Sequence, residues 1–150
     1  MQRADDAENA FEATIHAAVV DDDTSLCKAL SRLLTAAGIA STIYPSAEAF
    51  LTDGLIREPD CLILDIQLGG MSGLELQRSL QATHRHIPLI FITAHDEPQL
   101  REEAQRGGCL AYLRKNDSGE TLLTAISSAV RSRQAVQDTA KIAAAQSLTL

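Results

Sequence analysis

The segment Cys61-Leu62-Ile63-Leu64-Asp65 decides the fold, because four apolar residues run without alternation into a carboxylate. A short apolar run of this kind is typical of a strand that is buried on both faces, as in a parallel sheet. Three glycines follow it, Gly69, Gly70 and Gly73, and they predict a loop. Asp65 is therefore expected at the carboxyl end of the strand, where open α/β sheets bind their ligands. By itself this pattern favours a loop-capping role for Asp65, so a functional role depends on the rest of the chain.

The composition is that of an ordinary globular domain. The chain has 150 residues, 45% hydrophobic and 22% charged, which is enough for one domain with its own core. The net charge of −7 argues against nucleic-acid binding by this chain, and no apolar run approaches the roughly 18 residues of a membrane span. Three cysteines, an odd number without a close pair, predict reduced thiols in a cytoplasmic protein.

Strand and helix patterns alternate five times along the chain. Short apolar runs predict strands at residues 15–20, 39–44, 61–65, 88–93 and 109–113, and a segment with helical spacing follows each. This alternation favours a five-stranded parallel sheet with helices on both faces, a doubly wound (βα)5 fold of the α/β class.

The chain divides into three predicted parts. We expect a loose leader at residues 1–13, the folded domain at 14–133, and a tail at 134–150. The tail either prolongs the last helix or acts as a linker. Weak order is expected there, because its apolar residues form no strong stripe.

Local signals predict where several helices begin and end. Asp23 is expected to begin the first helix, where a negative charge favours the positive end of the helix dipole. Gly38 is expected just after its end, in a left-handed conformation. Ser72 and Asp117 each precede a glutamate by three residues, which is the pattern of a capping box.

Polar side chains stand where the predicted strands end. They are Asp21 and Asp22 after the first strand, Asp65 after the third, Thr93 after the fourth and Lys115 after the fifth. Parallel strands bring their carboxyl ends to one edge of the sheet, so these groups are expected to converge. Neighbouring carboxylates repel each other unless a cation is present, and Mg²⁺ prefers carboxylate and phosphate oxygens. The lysine and the hydroxyl suit phosphoryl oxygens, which indicates a phosphoryl-transfer site with Asp65 as nucleophile.

Four motifs carry a resemblance to a known family. They are Val19-Val20-Asp21-Asp22-Asp23, Leu62-Ile63-Leu64-Asp65-Ile66-Gln67-Leu68 followed by Met71-Ser72-Gly73, Phe91-Ile92-Thr93-Ala94, and Ala111-Tyr112-Leu113-Arg114-Lys115. In this order and spacing they resemble the receiver domain of response regulators in bacterial two-component signalling, over roughly residues 14–133. Two further stretches, Pro45-Ser46-Ala47-Glu48-Ala49-Phe50-Leu51 and the ending Leu148-Thr149-Leu150, bring the resemblance nearest to transcription regulators of the FixJ/LuxR type. It implies the strand order 2-1-3-4-5, of which a receiver is an established example.

The resemblance implies a phosphoacceptor, not an enzyme, that takes a phosphoryl group onto Asp65 from a sensor histidine kinase or a phosphotransfer protein. The implied Mg²⁺ ligands are Asp21, acting mainly through a metal-bound water, Asp22, Asp65 and the backbone carbonyl of Gln67. Lys115 is implied to pair with the phosphoryl group. Thr93 is implied to move and bond the new oxygens, together with the backbone N–H of Ala94.

A switching surface is also implied. Tyr112 would exchange between exposed and buried rotamers as Thr93 moves, although plain strand packing also explains this tyrosine. The change would reach the surface formed by the fourth helix, the fifth strand and the fifth helix, where a partner or a second copy would bind. The charged fourth helix is otherwise a solvated face. Gln67 and His95 flank the site, where they either tune the attacking water or are ordinary loop residues.

Two positions depart from the family pattern. The family usually has proline after the lysine, joined by a cis bond, and this chain has Asn116. Because a non-proline cis bond costs about 3–4 kcal/mol, we expect either a trans bond or a strained exception. Gly69 stands where the family favours proline, so the loop after Asp65 is expected to be looser than usual.

Other classes of protein fit the sequence less well. A haloacid-dehalogenase-type phosphatase needs a second aspartate two residues after its nucleophile, where this chain has Gln67. A flavodoxin-type electron carrier needs a glycine- and hydroxyl-rich loop after the first strand, where this chain has three aspartates. Two outputs remain open: the chain is the receiver part of a transcription regulator, or it is a stand-alone receiver that acts by protein contact or in a phosphorelay.

Overall fold

The computed structural model describes residues 14–148 and contains five strands and five helices in strict alternation over that range. In chain order they are β1 (His16–Val20), α1 (Thr24–Ala36), β2 (Ala40–Tyr44), α2 (Ala47–Thr52), β3 (Cys61–Asp65), α3 (Gly73–Ala82), β4 (Leu89–Thr93), α4 (Pro98–Arg106), β5 (Ala111–Arg114) and α5 (Gly119–Leu148). The predicted leader at residues 1–13 lies outside the described residues.

The five strands form one parallel sheet in the order β2-β1-β3-β4-β5. The predicted fold class and strand order are therefore confirmed. The strand that decides the fold, β3, lies in the middle, and all five of its residues are buried. Because both faces of β3 are covered, an uninterrupted apolar run is the pattern that this position requires.

Helices cover both faces of the sheet, and alternate residues of β3 contribute to the two separate cores. Leu62 and Leu64 face one core, which contains side chains from α2, α3 and α4, including the fully buried Phe50. Cys61 and Ile63 face the other core, which is formed with α1 and α5. The two-residue period of a strand thus divides one apolar run between two layers of helices.

The predicted helix ends are found at three of four positions. Asp23 caps α1 by accepting a hydrogen bond from the Leu26 N–H, Ser72 caps α3 by accepting one from the Glu75 N–H, and Gly38 has a φ of +76°. The prediction for α5 was wrong in register. Ser118 accepts from the N–H of Thr121 at the start of that helix, whereas Asp117 turns back and accepts from the N–H of Arg114.

The last helix is longer than the folded domain requires. Its 30 residues continue to Leu148, so the helix extends through most of the predicted tail, while the expectation of weak order there stays a prediction. Once a helix is nucleated, each added residue gains an i to i−4 hydrogen bond, so the part of α5 that packs on the core can extend into a segment without a strong apolar stripe. Val136 and Ile142 are 65% and 59% exposed on this extension. Between residues 14 and 148, no helix has the length and apolar character that crossing a membrane demands.

Candidate functional site

Parallel pairing places the carboxyl ends of the strands along one edge, and four of the predicted polar groups stand there. Asp21 directly follows β1, Asp65 ends β3, Thr93 ends β4 and Lys115 directly follows β5. The Nζ atom of Lys115 lies 3.1 Å from Oδ2 of Asp65 and 3.1 Å from Oδ2 of Asp21. Three segments that are up to 94 residues apart in sequence therefore meet around one ammonium group.

The Lys115–Asn116 peptide bond is trans, as is every peptide bond in residues 14–148. The lysine is positioned by the backbone, because its N–H donates to the carbonyl of Thr93 at 2.8 Å. Its side chain still reaches both carboxylates. Of the two alternatives for residue 116, the unstrained one is found.

Three carboxylates form the acidic part of the site. Asp21, Asp22 and Asp65 each offer an oxygen, and these oxygens lie within 4.8 Å of one another. Asp21 and Asp65 are buried, with 3% and 4% of their surfaces exposed, while Asp22 is exposed. The site thus opens to solvent on the side of Asp22, and its other two acids lie deep in the edge of the sheet.

Short local hydrogen bonds hold the two buried carboxylates in place. Oδ1 of Asp21 accepts from the N–H of Asp23 at 2.9 Å, and Oδ1 of Asp65 accepts from the N–H of Gln67 at 3.1 Å. In both cases the aspartate bonds the backbone two residues later, which is the geometry of an Asx turn. One oxygen of each carboxylate is thereby used in fixing the loop, and the other faces the lysine.

The electrostatics of the site show that its negative charge is under-compensated. Burial raises the pKa of the Asp65 carboxyl, and the neighbouring Asp21 raises it further; the Gln67 N–H and Lys115 only partly oppose this. Burial lowers the pKa of the Lys115 ammonium, but the hydrogen bonds to Asp65 and Asp21 and the negative charges of these two residues together outweigh burial, so its pKa lies above the usual value. One fixed positive charge therefore faces three carboxylates.

The donor set fits a hard divalent cation. Oδ2 of Asp21 is buried and makes no hydrogen bond within the described part of the chain, although it lies near the lysine. A buried carboxylate oxygen without a hydrogen bond is costly, and a cation would relieve that cost. Oxygen ligands from carboxylates are the ligands that Mg²⁺ prefers.

Thr93 and its neighbours in the β4–α4 loop lie beside this cluster. The Thr93 hydroxyl donates to the carbonyl of His95 at 2.8 Å and accepts from the His95 N–H at 3.1 Å. The hydroxyl is thus engaged with its own loop, and His95 takes part through its backbone while its side chain is exposed. Ala94 lies between these two residues in the same turn.

Tyr112 is half-buried on β5, next to Phe91 of β4 in the register of the sheet. Its hydroxyl is buried, which raises its pKa, and the nearby Thr93 side chain opposes this rise, although no hydrogen bond of normal geometry reaches the hydroxyl within residues 14–148. The guanidinium of Arg101 lies 5.3 Å from the centre of the tyrosine ring, and the same guanidinium pairs with Asp96. The contact between Arg101 and the ring of Tyr112 was not predicted from the sequence, because it joins α4 to β5 across a loop.

Two further contacts at the site were missed from the sequence. The Cys27 thiol, which is buried on α1, donates to the carbonyl of Asp21 at 3.4 Å. Glu48 of α2 accepts a hydrogen bond from the backbone of the loop after Asp65. No sequence signal pointed to either contact.

Fold and site together define a doubly wound α/β protein with an acidic pocket and a lysine at the carboxyl edge of its sheet. Residues 17–127 match the sequence model of the response regulator receiver domain. This match covers well over half of the chain, which belongs to the response regulator receiver family.

Similar proteins agree with this assignment. Nodulation protein W of Bradyrhizobium diazoefficiens is 35% identical over 81% of this chain and 55% of its own length. Transcriptional regulatory protein FixJ of Azorhizobium caulinodans is 34% identical over 72% of this chain and 51% of its own length. The chain thus spans about half the length of the curated relatives it matches.

Solved structures also resemble the fold of this chain. The crystal structure named FixJ-N superposes with a TM-score of 0.72 at 32% identity, over 78% of this chain and 94% of that one. The response regulator StyR gives a TM-score of 0.77 at 34% identity, over 86% of this chain and 67% of the StyR chain.

Proposed function

We propose that this chain is a phosphoacceptor, in which Asp65 takes a phosphoryl group from a sensor histidine kinase or a phosphotransfer protein. One observation carries the proposal: a buried carboxylate at the end of the central strand lies 3.1 Å from a lysine and within 4.8 Å of two further carboxylates. A phosphoryl-transfer site needs a nucleophilic oxygen and positive charge to neutralise phosphoryl oxygens. This cluster offers the nucleophilic oxygen of Asp65 and one positive charge, that of Lys115.

Mg²⁺ would complete the site, held by Asp21, Asp22, Asp65 and the backbone carbonyl of Gln67. When bound, it supplies positive charge next to the transferred group. A carboxylate oxygen of Asp65 forms the new P–O bond while the P–N bond of the donor phosphohistidine breaks, and the electron pair stays on the imidazole nitrogen, which takes up a proton. Lys115, now paired with Asp65 and Asp21, would turn part of its charge to the phosphoryl oxygens.

The response would begin at Thr93. Its hydroxyl would exchange the His95 carbonyl for a phosphoryl oxygen, and the Ala94 N–H would donate to the same group. Space vacated by Thr93 would then be open to Tyr112, whose buried hydroxyl interacts with the Thr93 side chain without a hydrogen bond of normal geometry in the described structure. Movement of this tyrosine would alter the surface of α4, β5 and α5, where a partner or a second copy would bind. Gln67 and His95, which flank the site, would tune the lifetime of the phosphoryl group.

The output belongs to the same proposal. Relatives such as FixJ are transcriptional regulatory proteins, and this chain matches about half of their length. We assign residues 14–133 to the receiver of such a regulator, acting in the cytoplasm with residues 134–148 leading on from it as helix. Nucleic-acid contacts are not assigned to this chain, whose net charge is −7.

The experiment is covalent labelling. Incubation with Mg²⁺ and phosphoramidate should add one phosphoryl group to the intact chain, as measured by mass spectrometry. Asp65→Asn should abolish the labelling because it removes the nucleophilic oxygen, whereas Asp138→Asn, which removes an exposed carboxylate on the α5 extension, should leave labelling unchanged. Equal labelling of Asp65→Asn and the original chain would refute the assignment.

A further inference from the structure

The loop between β3 and α3, residues 66–72, contacts the site through Gln67, whose N–H donates to Asp65. It also contains a pair of glycines, Gly69 and Gly70, which make its backbone less constrained. Gly70 has a φ of +71°, and Gly69 has open space around its Cα. Adjacent glycines give a loop more conformations than other residues do. A loop of this composition needs an anchor if the backbone of Gln67 is to stay beside Asp65.

Both ends of this loop are anchored locally. At its start the Gln67 N–H donates to Asp65, and at its end the Gly73 N–H donates to the carbonyl of Ile66 at 3.0 Å. Leu68 and Met71 pack their side chains against the core on the α2, α3 and α4 side of the sheet. None of these contacts bonds the backbone immediately after the glycine pair.

That backbone is held by a carboxylate from another element. Oε1 of Glu48 accepts from the N–H of Met71 at 2.6 Å, across 23 residues of sequence. A Cβ atom at Gly70 would lie 2.7 Å from the same Oε1, so the glycine leaves the space that the carboxylate occupies. Two independent features, the hydrogen bond and the missing side chain, thus fit the carboxylate to the loop.

The backbone of Glu48 is held in a capped helix with buried neighbours, although the Glu48 side chain is exposed. It lies in the first turn of α2, whose cap Ser46 accepts from the N–H of Ala49 at 3.0 Å. Its neighbours Ala47 and Phe50 are fully buried in the core. The hydrogen bond from Met71 lowers the pKa of the Glu48 carboxyl, so it is ionised at neutral pH and makes a charge-assisted bond.

We propose that Glu48 is a positioning residue, which ties the β3–α3 loop to α2 and thereby holds the Gln67 carbonyl in place for Mg²⁺. The proposal rests on the function proposed above, and it assigns to α2 a part in the site that the strand-end residues do not reveal. Without the tie, the glycine pair lets the loop occupy more conformations. A smaller fraction of molecules then presents the Gln67 carbonyl, and the apparent Mg²⁺ affinity falls in proportion to that fraction.

Three variants of the full chain test this. Glu48→Ala removes the acceptor, Glu48→Gln keeps an oxygen at the same distance, and Glu103→Ala removes an exposed carboxylate from α4 as a matched control. Hydrogen exchange of the Met71 amide, followed by NMR, reports directly on the hydrogen bond from Met71 to Glu48. The Mg²⁺ concentration that gives half of the maximal rise in thermal midpoint reports the metal site without any phosphodonor.

For Glu48→Ala we expect faster exchange at Met71 and a half-saturating Mg²⁺ concentration about two- to tenfold higher, the range for loss of one hydrogen bond. The rate of labelling by phosphoramidate should fall at low Mg²⁺ and recover at saturating Mg²⁺. Glu48→Gln should lie between Glu48→Ala and the original chain, and Glu103→Ala should match the original chain.

Two results would overturn the inference: unchanged exchange at Met71 in Glu48→Ala, or faster exchange with an unchanged Mg²⁺ requirement. Failure of the function proposed above is a separate outcome, seen as no labelling of Asp65 in the original chain. The exchange and the thermal titration still test Glu48 in that case, because neither depends on phosphoryl transfer.

Discussion

Replacing Asp65 by asparagine should stabilise the folded chain when no divalent cation is present. At the outer limit of 4.8 Å and an effective dielectric constant of about 20, the repulsion between Asp65 and Asp21 is about 3 kcal/mol, while the charge of the exposed Asp22 is largely screened by solvent. The attraction to Lys115 at 3.1 Å is about 5 kcal/mol on the same scale. This leaves a net attraction of about 2 kcal/mol, and the cost of taking the buried carboxylate out of water, which is several kcal/mol, exceeds it by about 1–2 kcal/mol.

The sign agrees with the pKa of Asp65, which burial and Asp21 raise above its ordinary value. The folded chain keeps this proton over a pH range in which the unfolded chain has lost it, so stability falls as the pH rises through that range. Above that range the chain carries the full cost of the ionised group. Asp65→Asn removes this cost and should also remove that part of the pH dependence.

Urea unfolding followed by far-UV circular dichroism in EDTA measures the change in the free energy of unfolding. We expect Asp65→Asn to be more stable than the original chain by about 1–2 kcal/mol, and Asp138→Asn to differ by less than about 0.5 kcal/mol. Saturating Mg²⁺ should reverse the order, because the original chain gains binding energy and the variant has lost a ligand. An Asp65→Asn chain as stable as or less stable than the original in EDTA would refute the charge argument.

Two further predictions concern glycine packing and alkaline pH. Gly73→Ala should lower the free energy of unfolding in urea by about 1–3 kcal/mol or more, because its Cβ would lie 2.3 Å from the carbonyl oxygen of Asp65. Gly69→Ala is the control, because a Cβ there meets nothing within 4 Å. Equal stability of the two variants would contradict this reasoning. Burial and a hydrogen bond to Asp53 raise the pKa of Tyr44 to about 12. The folded chain then holds a proton that the unfolded chain loses near pH ~10, so stability should fall between about pH 10 and pH 12, and this fall should be smaller in Tyr44→Phe.

Features that depend on neighbouring residues were predicted well from the sequence. The apolar run at 61–65 predicted a strand buried on both faces, and Ser72 and Asp23 predicted helix starts, because burial and capping act over one to four residues. The start of α5 shows the limit of such signals. Asp117 and Ser118 both suit a cap, and the choice fell to Ser118 because the Asp117 carboxylate bonds the N–H of Arg114 at the end of β5.

The same contrast holds for the site. By itself the sequence determined that the acids, the hydroxyl and the lysine share one edge, because parallel strands with helical connections leave their carboxyl ends no other place. Only the tertiary structure decided that Lys115 reaches two carboxylates across a trans bond, that Thr93 turns its hydroxyl to His95, and that Glu48 holds the loop after Asp65. These contacts depend on side-chain rotamers and on the distance between packed layers, which no local pattern of residues encodes.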